Sequence, residues 1–397
     1  MMENRSFDHF LGWLPNARGK QEGLEYVDRD GVAHRTHHLK GDYKGCDHPD
    51  PDHTYDGGRE QLNGGSMDGF LRSGDNDVYA IGFYREGDRP FFGALARNYT
   101  TLDRYFCSIL GPTFPNRMFQ HAASTDRLRN TIDISGLPTI WDRLASAGVS
   151  ARYYYSNIPF VALWGLKYLP IAAPYAQFLQ DAAAGTLPAV SFVDPRFTTL
   201  TDRRTNDDHP HADIRAGDAF LARTFHAVAR GPRWPSTVLI VNYDEWGGFF
   251  DHVPPPRAAA PNDVDPDLVD GKALLGFRVP GVIASPWTRG NPFSPRIGRL
   301  RFDHTSVLKL IEWRFRLSPL TARDGSTDIE NLARVFRWNR PDARVPHLPD
   351  ARPPQPVTCA PVREVPASEV VADDWERLRE SAAAQGWPIH ASASPLE

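Results

Sequence analysis

Three short apolar runs, LPAVSFVD (187–194), STVLIVNYDE (236–245) and FRVPGVIASP (277–286), read as strands buried on both sides. Around them apolar positions recur three and four apart, in LPTIWDRLASAG (137–148) and IRAGDAFLARTFHAVARG (214–231), which predicts amphipathic helices. Alternation of the two patterns predicts an α/β chain, with a mostly parallel central sheet and helices on both faces. Residues from about 20 to 90 follow neither period and are rich in Gly, Asp and His, so they are expected to form a loop-rich insertion. ARPPQPVTCAPVREVP (351–366) reads as a proline-rich strap, and ASEVVADDWERLRESAAAQGW (367–387) as a C-terminal helix. The expected organisation is a main domain over 1–350, followed by strap and helix over 351–397.

Composition narrows the functional classes. A formal charge of −4 offers no basic surplus for nucleic acid and no polybasic membrane anchor. No apolar run reaches the ~18 residues of a transmembrane helix. Cys46, Cys107 and Cys359 are too few for a disulfide scaffold or a tetrahedral zinc site. A Cys46–Cys107 bridge and three reduced thiols both remain open.

Two stretches carry candidate chemistry. In an open α/β sheet, ligands collect beyond the carboxyl ends of strands. The run Val238 to Val241 leads straight into Asp244 and Glu245, and two glycines then let the chain turn. Adjacent carboxylates at a strand end repel unless a cation or a proton compensates them, so they suit a metal site as well as a solvated turn. In LGPTFPNRMFQHAAS, Pro112 and Pro115 flank Thr113 at the start of an expected helix. Thr113 can be read there either as a helix cap or as a hydroxyl beside an anion-binding helix terminus.

Taken together, ENRSFDHFLG (3–12), GPTFPNR (111–117), YDEWGGFFDHVPPP (243–256) and RVPGVIASPW (278–287) resemble, in order, the blocks of a phosphoesterase family. That family comprises bacterial and plant non-specific phospholipases C and a bacterial acid phosphatase. NGGSMDGF (63–70), DDHP (207–210) and FDHTSVLKLIEWRF (302–315) are similar to further blocks.

The resemblance implies an alkaline-phosphatase-like α/β fold and a hydroxyl nucleophile assisted by one divalent metal ion, with Ca, Mg, Mn and Zn all open. By motif position it makes Glu3, Asn4, Asp244 and Glu245 metal ligands, and Thr113 both nucleophile and ligand. His53, in DPDH, and His209, in DDHP, take phosphate-binding or proton-transferring positions, with His211, His252 and His304 as nearby candidates. The implied activity is a phospholipase C acting on phosphatidylcholine-like diesters through a phospho-threonine. The alternatives are an acid phosphatase on monoesters and a catalytically inactive binding protein. Implied partners are a phospholipid or other phosphate ester and a transient membrane-surface contact, with FLGWLP and FYREGDRPFF as an apolar rim. The family favours an exported, periplasmic or secreted protein. Only Met1 and Met2 precede the first ligands, whereas a strand typically takes about five or six residues. An apolar strand is therefore expected upstream of Met1.

Overall fold

The computed structural model describes residues 1–199, 204–355, 359 and 371–389. Seven short strands build its centre: β1 Thr100–Leu102, β2 Ala151–Tyr155, β3 Ala172–Pro174, β4 Val190–Val193, β5 Leu239–Asn242, β6 Gly281–Ala284 and β7 Arg296–Gly298. They form two groups, β7-β1-β6-β5 and β3-β2-β4. The second group is wholly parallel, as is the β7–β1 pair. Strand β6, however, runs antiparallel to both β1 and β5, so the parallel part of the expectation holds for three of the five central pairings. The cause lies in GFRVPG, which returns the chain along Tyr105 to Cys107 and brings β6 in against the direction of its neighbours.

The helices that matter are α1 Phe7–Leu11, α2 Tyr55–Leu62, α3 Pro90–Asn98, α4 Thr113–Ala122, α5 Ile140–Ser146, α6 Tyr175–Ala184, α7 Ile214–Arg230, α8 Thr305–Phe315 and α9 Val371–Gln385. They cover both faces, as the strand side chains show. Along β2, Tyr154 joins one apolar core with Phe178 of α6 and Phe220 and Phe225 of α7. Tyr153 and Tyr155 point the other way, into a second core with Met118 of α4, Trp141 of α5 and Trp375 of α9. The period of two in a strand thus feeds two helical layers.

Residues 20–90 add no strand to either central group and form short local pairs, such as Glu25–Val27 with Ala33–Arg35, around α2. Cys46 in this region is disulfide-bonded to Cys359 of the strap, so neither cysteine expectation holds. Cys107 is fully buried beside β6, where its thiol donates to the Phe277 carbonyl, out of reach of the surface loop that holds Cys46. FLGWLP and FYREGDRPFF do not make a lipid rim: Phe10, Leu11, Leu14, Phe83, Phe91 and Phe92 are buried in the first core. Among the described residues no helix is long and apolar enough to cross a membrane.

Candidate active site

The N-terminal residues run between β5 and β4. Met1 donates its ammonium to the Val193 carbonyl at 3.0 Å, Met2 pairs in parallel with Tyr243, and Glu3 and Arg5 donate backbone N–H groups to Asp207 and Glu245. This pairing sets Glu3 and Asn4 beside the carboxyl end of β5, next to Asp244 and Glu245. Asn4 takes a left-handed backbone (φ 58°) to make the turn. Gly247 closes over it so tightly that a Cβ there would meet the Asn4 carbonyl oxygen at 2.1 Å. The first glycine of EWGG is thus required by close approach to the site.

Three oxygens converge at the first turn of α4. Thr113 Oγ1 lies 3.5 Å from Asn4 Oδ1 and 3.4 Å from Glu245 Oε1. Its hydroxyl therefore faces the site instead of capping the helix, and the Asn130 side chain accepts the Phe114 N–H in its place. The other Glu245 oxygen is held by the Gly247 N–H at 2.6 Å. His53 sits on the open side, its Nε2 3.4 Å from Asn4 Nδ2 and 3.8 Å from Glu245 Oε1, while its Nδ1 donates to the Pro51 carbonyl. The His209 ring packs edge-on to His53 at 5.8 Å and likewise commits Nδ1 to a neighbouring carbonyl, that of Pro210. Asp50, which sequence reasoning passed over, completes this side: ligand atoms of Asp50, His53 and His209 all lie within 4.8 Å of one another.

Glu3 and Asp244 face the opposite way. Both accept from Arg117 Nε, at 3.0 and 2.9 Å, and Arg117 Nη1 reaches Asp194 at 2.9 Å. The remaining Asp244 oxygen accepts the backbone N–H groups of Asn4 and Glu245, and the Asp244 carbonyl takes His304 Nε2. Glu3 Oε2 accepts the Trp375 indole N–H. Of the five expected ligands, the structure therefore brings Asn4, Thr113 and Glu245 together and seats Glu3 and Asp244 on an arginine. Arg117 stands four residues after Thr113, one helical turn along the same face, a spacing visible in the sequence. His211 stands near His209 with Nε2 committed to the His48 carbonyl, and His252 lies elsewhere. His252 bonds Asp8, whose carboxylate with that of Asp251 clamps Arg278.

Burial dominates the electrostatics. It pushes the Glu245 carboxyl up to about 8 against the pull of His53, and it holds Glu3 well above the usual carboxylate range. For His53 burial alone would lower the value, but Glu245 and Asp50 outweigh it and raise the imidazole to about 9. His209 is lowered by burial to about 4, with Asp50 opposing and His53 adding to the fall. Asp50 Oδ1 and His209 Nε2 are buried with no hydrogen-bond partner. A pocket of excess carboxylate, with an amide and a hydroxyl oxygen and two unpartnered polar atoms at its rim, fits a hard divalent cation.

Residues 1–318 match the model of the phosphoesterase family. The chain is 32% identical over 392 residues to non-specific phospholipase C6 of Arabidopsis thaliana, covering 89% of this chain and 74% of that protein. It is 33% identical over 385 residues to phospholipase C B of Mycobacterium tuberculosis, covering 79% and 72%. A solved protein in the alkaline phosphatase superfamily from Vibrio parahaemolyticus aligns over 59% of this chain and 63% of its own, at 12% identity and a TM-score of 0.38. With its motif blocks in order and its family match covering most of its length, the chain belongs to the phosphoesterase family and is a hydrolase of phosphoric ester bonds.

Proposed function

We propose that this hydrolase is a phospholipase C that cleaves phosphatidylcholine-like diesters with Thr113 as nucleophile. The observation that carries the assignment is the position of Thr113 Oγ1 at the start of α4, within 3.5 Å of both Asn4 Oδ1 and Glu245 Oε1. A threonine hydroxyl is a weak nucleophile until its alkoxide is stabilised. Asn4, Thr113 and Glu245 would hold a divalent cation, which when bound supplies that stabilisation and offsets charge on the phosphoryl oxygens. Glu3 and Asp244 serve this site indirectly, by fixing Arg117 and the Asn4 backbone.

In this reading Thr113 Oγ1 gives up its proton to solvent and forms a bond to phosphorus as the bond to the glycerol oxygen breaks, and it takes a proton back when hydrolysis frees it. Thr113 opens helix α4, whose dipole places partial positive charge beside the phosphoryl oxygens. His53 and His209, each with Nδ1 tied to a carbonyl, present Nε2 to the reacting centre. One gives a proton to the departing glycerol oxygen, and the other takes one from the water that then releases phosphocholine from Thr113. The products are diacylglycerol and phosphocholine.

The test is to quench the enzyme in acid during turnover of phosphatidylcholine and to map the modified peptide, with parallel assays on an aryl phosphate monoester across Ca, Mg, Mn and Zn. A phosphocholine adduct on Thr113 is expected, with the diester preferred. An adduct on another residue removes Thr113 from its role, and a preference for the monoester makes the protein a phosphatase.

A further inference from the structure

The end of the sheet remote from the active site carries a different chemistry. Strands β5 and β6 pair so that Gly281 faces Asn242 and Ala284 faces Leu239. The chain therefore leaves β6 at the amino end of β5, whereas Asp244 and Glu245 lie beyond its carboxyl end. There a cleft of about 530 Å³ is lined by Trp287, Arg289, Arg296, Arg337, Arg340 and Asp342. Its single acid, Asp342, is chelated by Arg344 at 2.8 and 2.9 Å. Among the described residues neither Arg337 nor Arg340 has a carboxylate partner, and both are exposed. Arg289 keeps its Nε buried and unpartnered, and burial together with Arg337 lowers the Arg296 guanidinium to about 10. Four guanidiniums thus share one opening with a single carboxylate, Asp342, that Arg344 already chelates.

Aromatic side chains surround the same opening. Among the described residues, the exposed Phe and Trp side chains are Phe293, Trp313 and Trp338, at 93%, 54% and 52% exposure. Trp338 touches Trp287 on the cleft wall and Trp313 on α8, with ring centroids 6.1 and 5.6 Å apart. Phe293 tops a tight turn whose flanking residues, Asn291 and Ser294, also line the cleft. Exposed large aromatics are costly in water and sit well at a lipid–water boundary, while arginines match phosphate in charge and geometry.

We propose that this face docks on a bilayer rich in anionic phospholipid, with a headgroup phosphate among Arg289, Arg296, Arg337 and Arg340 and with Phe293, Trp313 and Trp338 in the interfacial layer. Charge complementarity selects the partner: a neutral bilayer offers the guanidiniums only phosphates already paired with choline and no net charge, and a small free anion offers nothing to the three rings. Docking here turns the Thr113 end of the sheet away from the bound surface, so the face anchors the protein and does not present substrate to it.

The experiment uses the full chain and stopped-flow energy transfer from tryptophan to a dansyl lipid, which reads association before lipid is consumed. Vesicles of phosphatidylcholine alone are compared with vesicles in which about a third of the lipid is phosphatidylglycerol. Markedly tighter association with the anionic vesicles than with phosphatidylcholine alone is expected. Arg337→Gln with Arg340→Gln should weaken it about thirty-fold, while hydrolysis of a soluble nitrophenyl phosphodiester stays at the wild-type rate. Phe293→Ser should weaken it by a smaller factor. Equal association with neutral vesicles overturns the proposal, as does undiminished binding by the double variant or a parallel loss of soluble activity. Protection of the cleft by inorganic phosphate without any vesicle association would assign it to a small anion instead and overturn the proposal equally.

Discussion

The indole N–H of Trp375 donates to Glu3 Oε2 at 3.0 Å, joining the C-terminal helix to the third residue of the chain. The same ring lies flat on Phe197, with centroids 3.7 Å apart and planes 9° from parallel. Trp375→Phe keeps the stack and removes the donor, leaving Glu3 with Arg117 alone. A typical hydrogen bond contributes about 0.5–1.5 kcal/mol, so kcat/KM should fall by about two- to tenfold through displacement of the Glu3–Asn4 turn. Steady-state kinetics on a soluble diester check this. An unchanged kcat/KM would show that the helix docks without influence on the site.

The two carboxylates at the end of β5 should behave differently. Glu245→Gln removes a buried carboxyl whose ionisation burial opposes and His53 only partly supports, so it should preserve the melting temperature while abolishing metal uptake and reducing activity by more than about a hundredfold. Asp244→Asn instead weakens a buried ion pair with Arg117, and breaking such pairs costs about 3–5 kcal/mol. Its melting temperature should drop clearly. Metal analysis and calorimetry on both variants separate the roles, and identical behaviour would mean that the two residues share one function.

The site was legible where the chemistry is local. Thr113, between two prolines at a helix start, and Glu245, at the end of an apolar run, announce themselves within a few residues. Arg117 did not, because a lone arginine in PNRMFQH looks like a solvated helical residue until Glu3, Asp194 and Asp244 arrive from three distant segments. Asp50 was hidden among four acids in a polar stretch with no periodicity. Cys46 finds its partner 313 residues away, a closure that no local spacing signals. The α/β alternation predicted both helical layers, whereas the reversed direction of β6 depends on pairing between remote strands, which side-chain period does not encode.

His53 and His209 should separate by leaving group. A nitrophenolate departs without a proton, whereas the glycerol alkoxide needs one. Replacing the proton donor by Gln should therefore depress phosphatidylcholine hydrolysis at least about tenfold more than nitrophenyl phosphodiester hydrolysis. In the proposed mechanism the other histidine acts after the first product has left, so its loss should prolong the covalent intermediate for both substrates. Pre-steady-state bursts on the two substrates provide the readout. Equal losses for both variants on both substrates, without accumulation of the intermediate, would leave the histidines a purely electrostatic part.

Outside the site, Glu312 of α8 gives the protein a pH-dependent weakness. Its side chain is buried, and Oε1 has no hydrogen-bond partner. Burial first, and then Asp324 beside it, push the carboxyl up to about 9, with Lys309 opposing. In the unfolded chain a glutamate titrates near about 4.3. The folded state therefore binds this proton more tightly, and the stability it contributes is complete below about pH 4.3 and lost as pH rises through about 9. The loss from this one group is at most about 1.4 kcal/mol per pH unit across that window. Glu312→Gln keeps the shape and the protonated-like hydrogen-bonding capacity but cannot ionise. It should match the wild type near pH 4.3 and gain on it steadily towards pH 9, most visibly as a widening gap in melting temperature. Denaturant titrations at several pH values across the window measure the gap directly. A constant difference between the two proteins over the whole range would mean that Glu312 enters the folded state already ionised, with Lys309 as its effective partner.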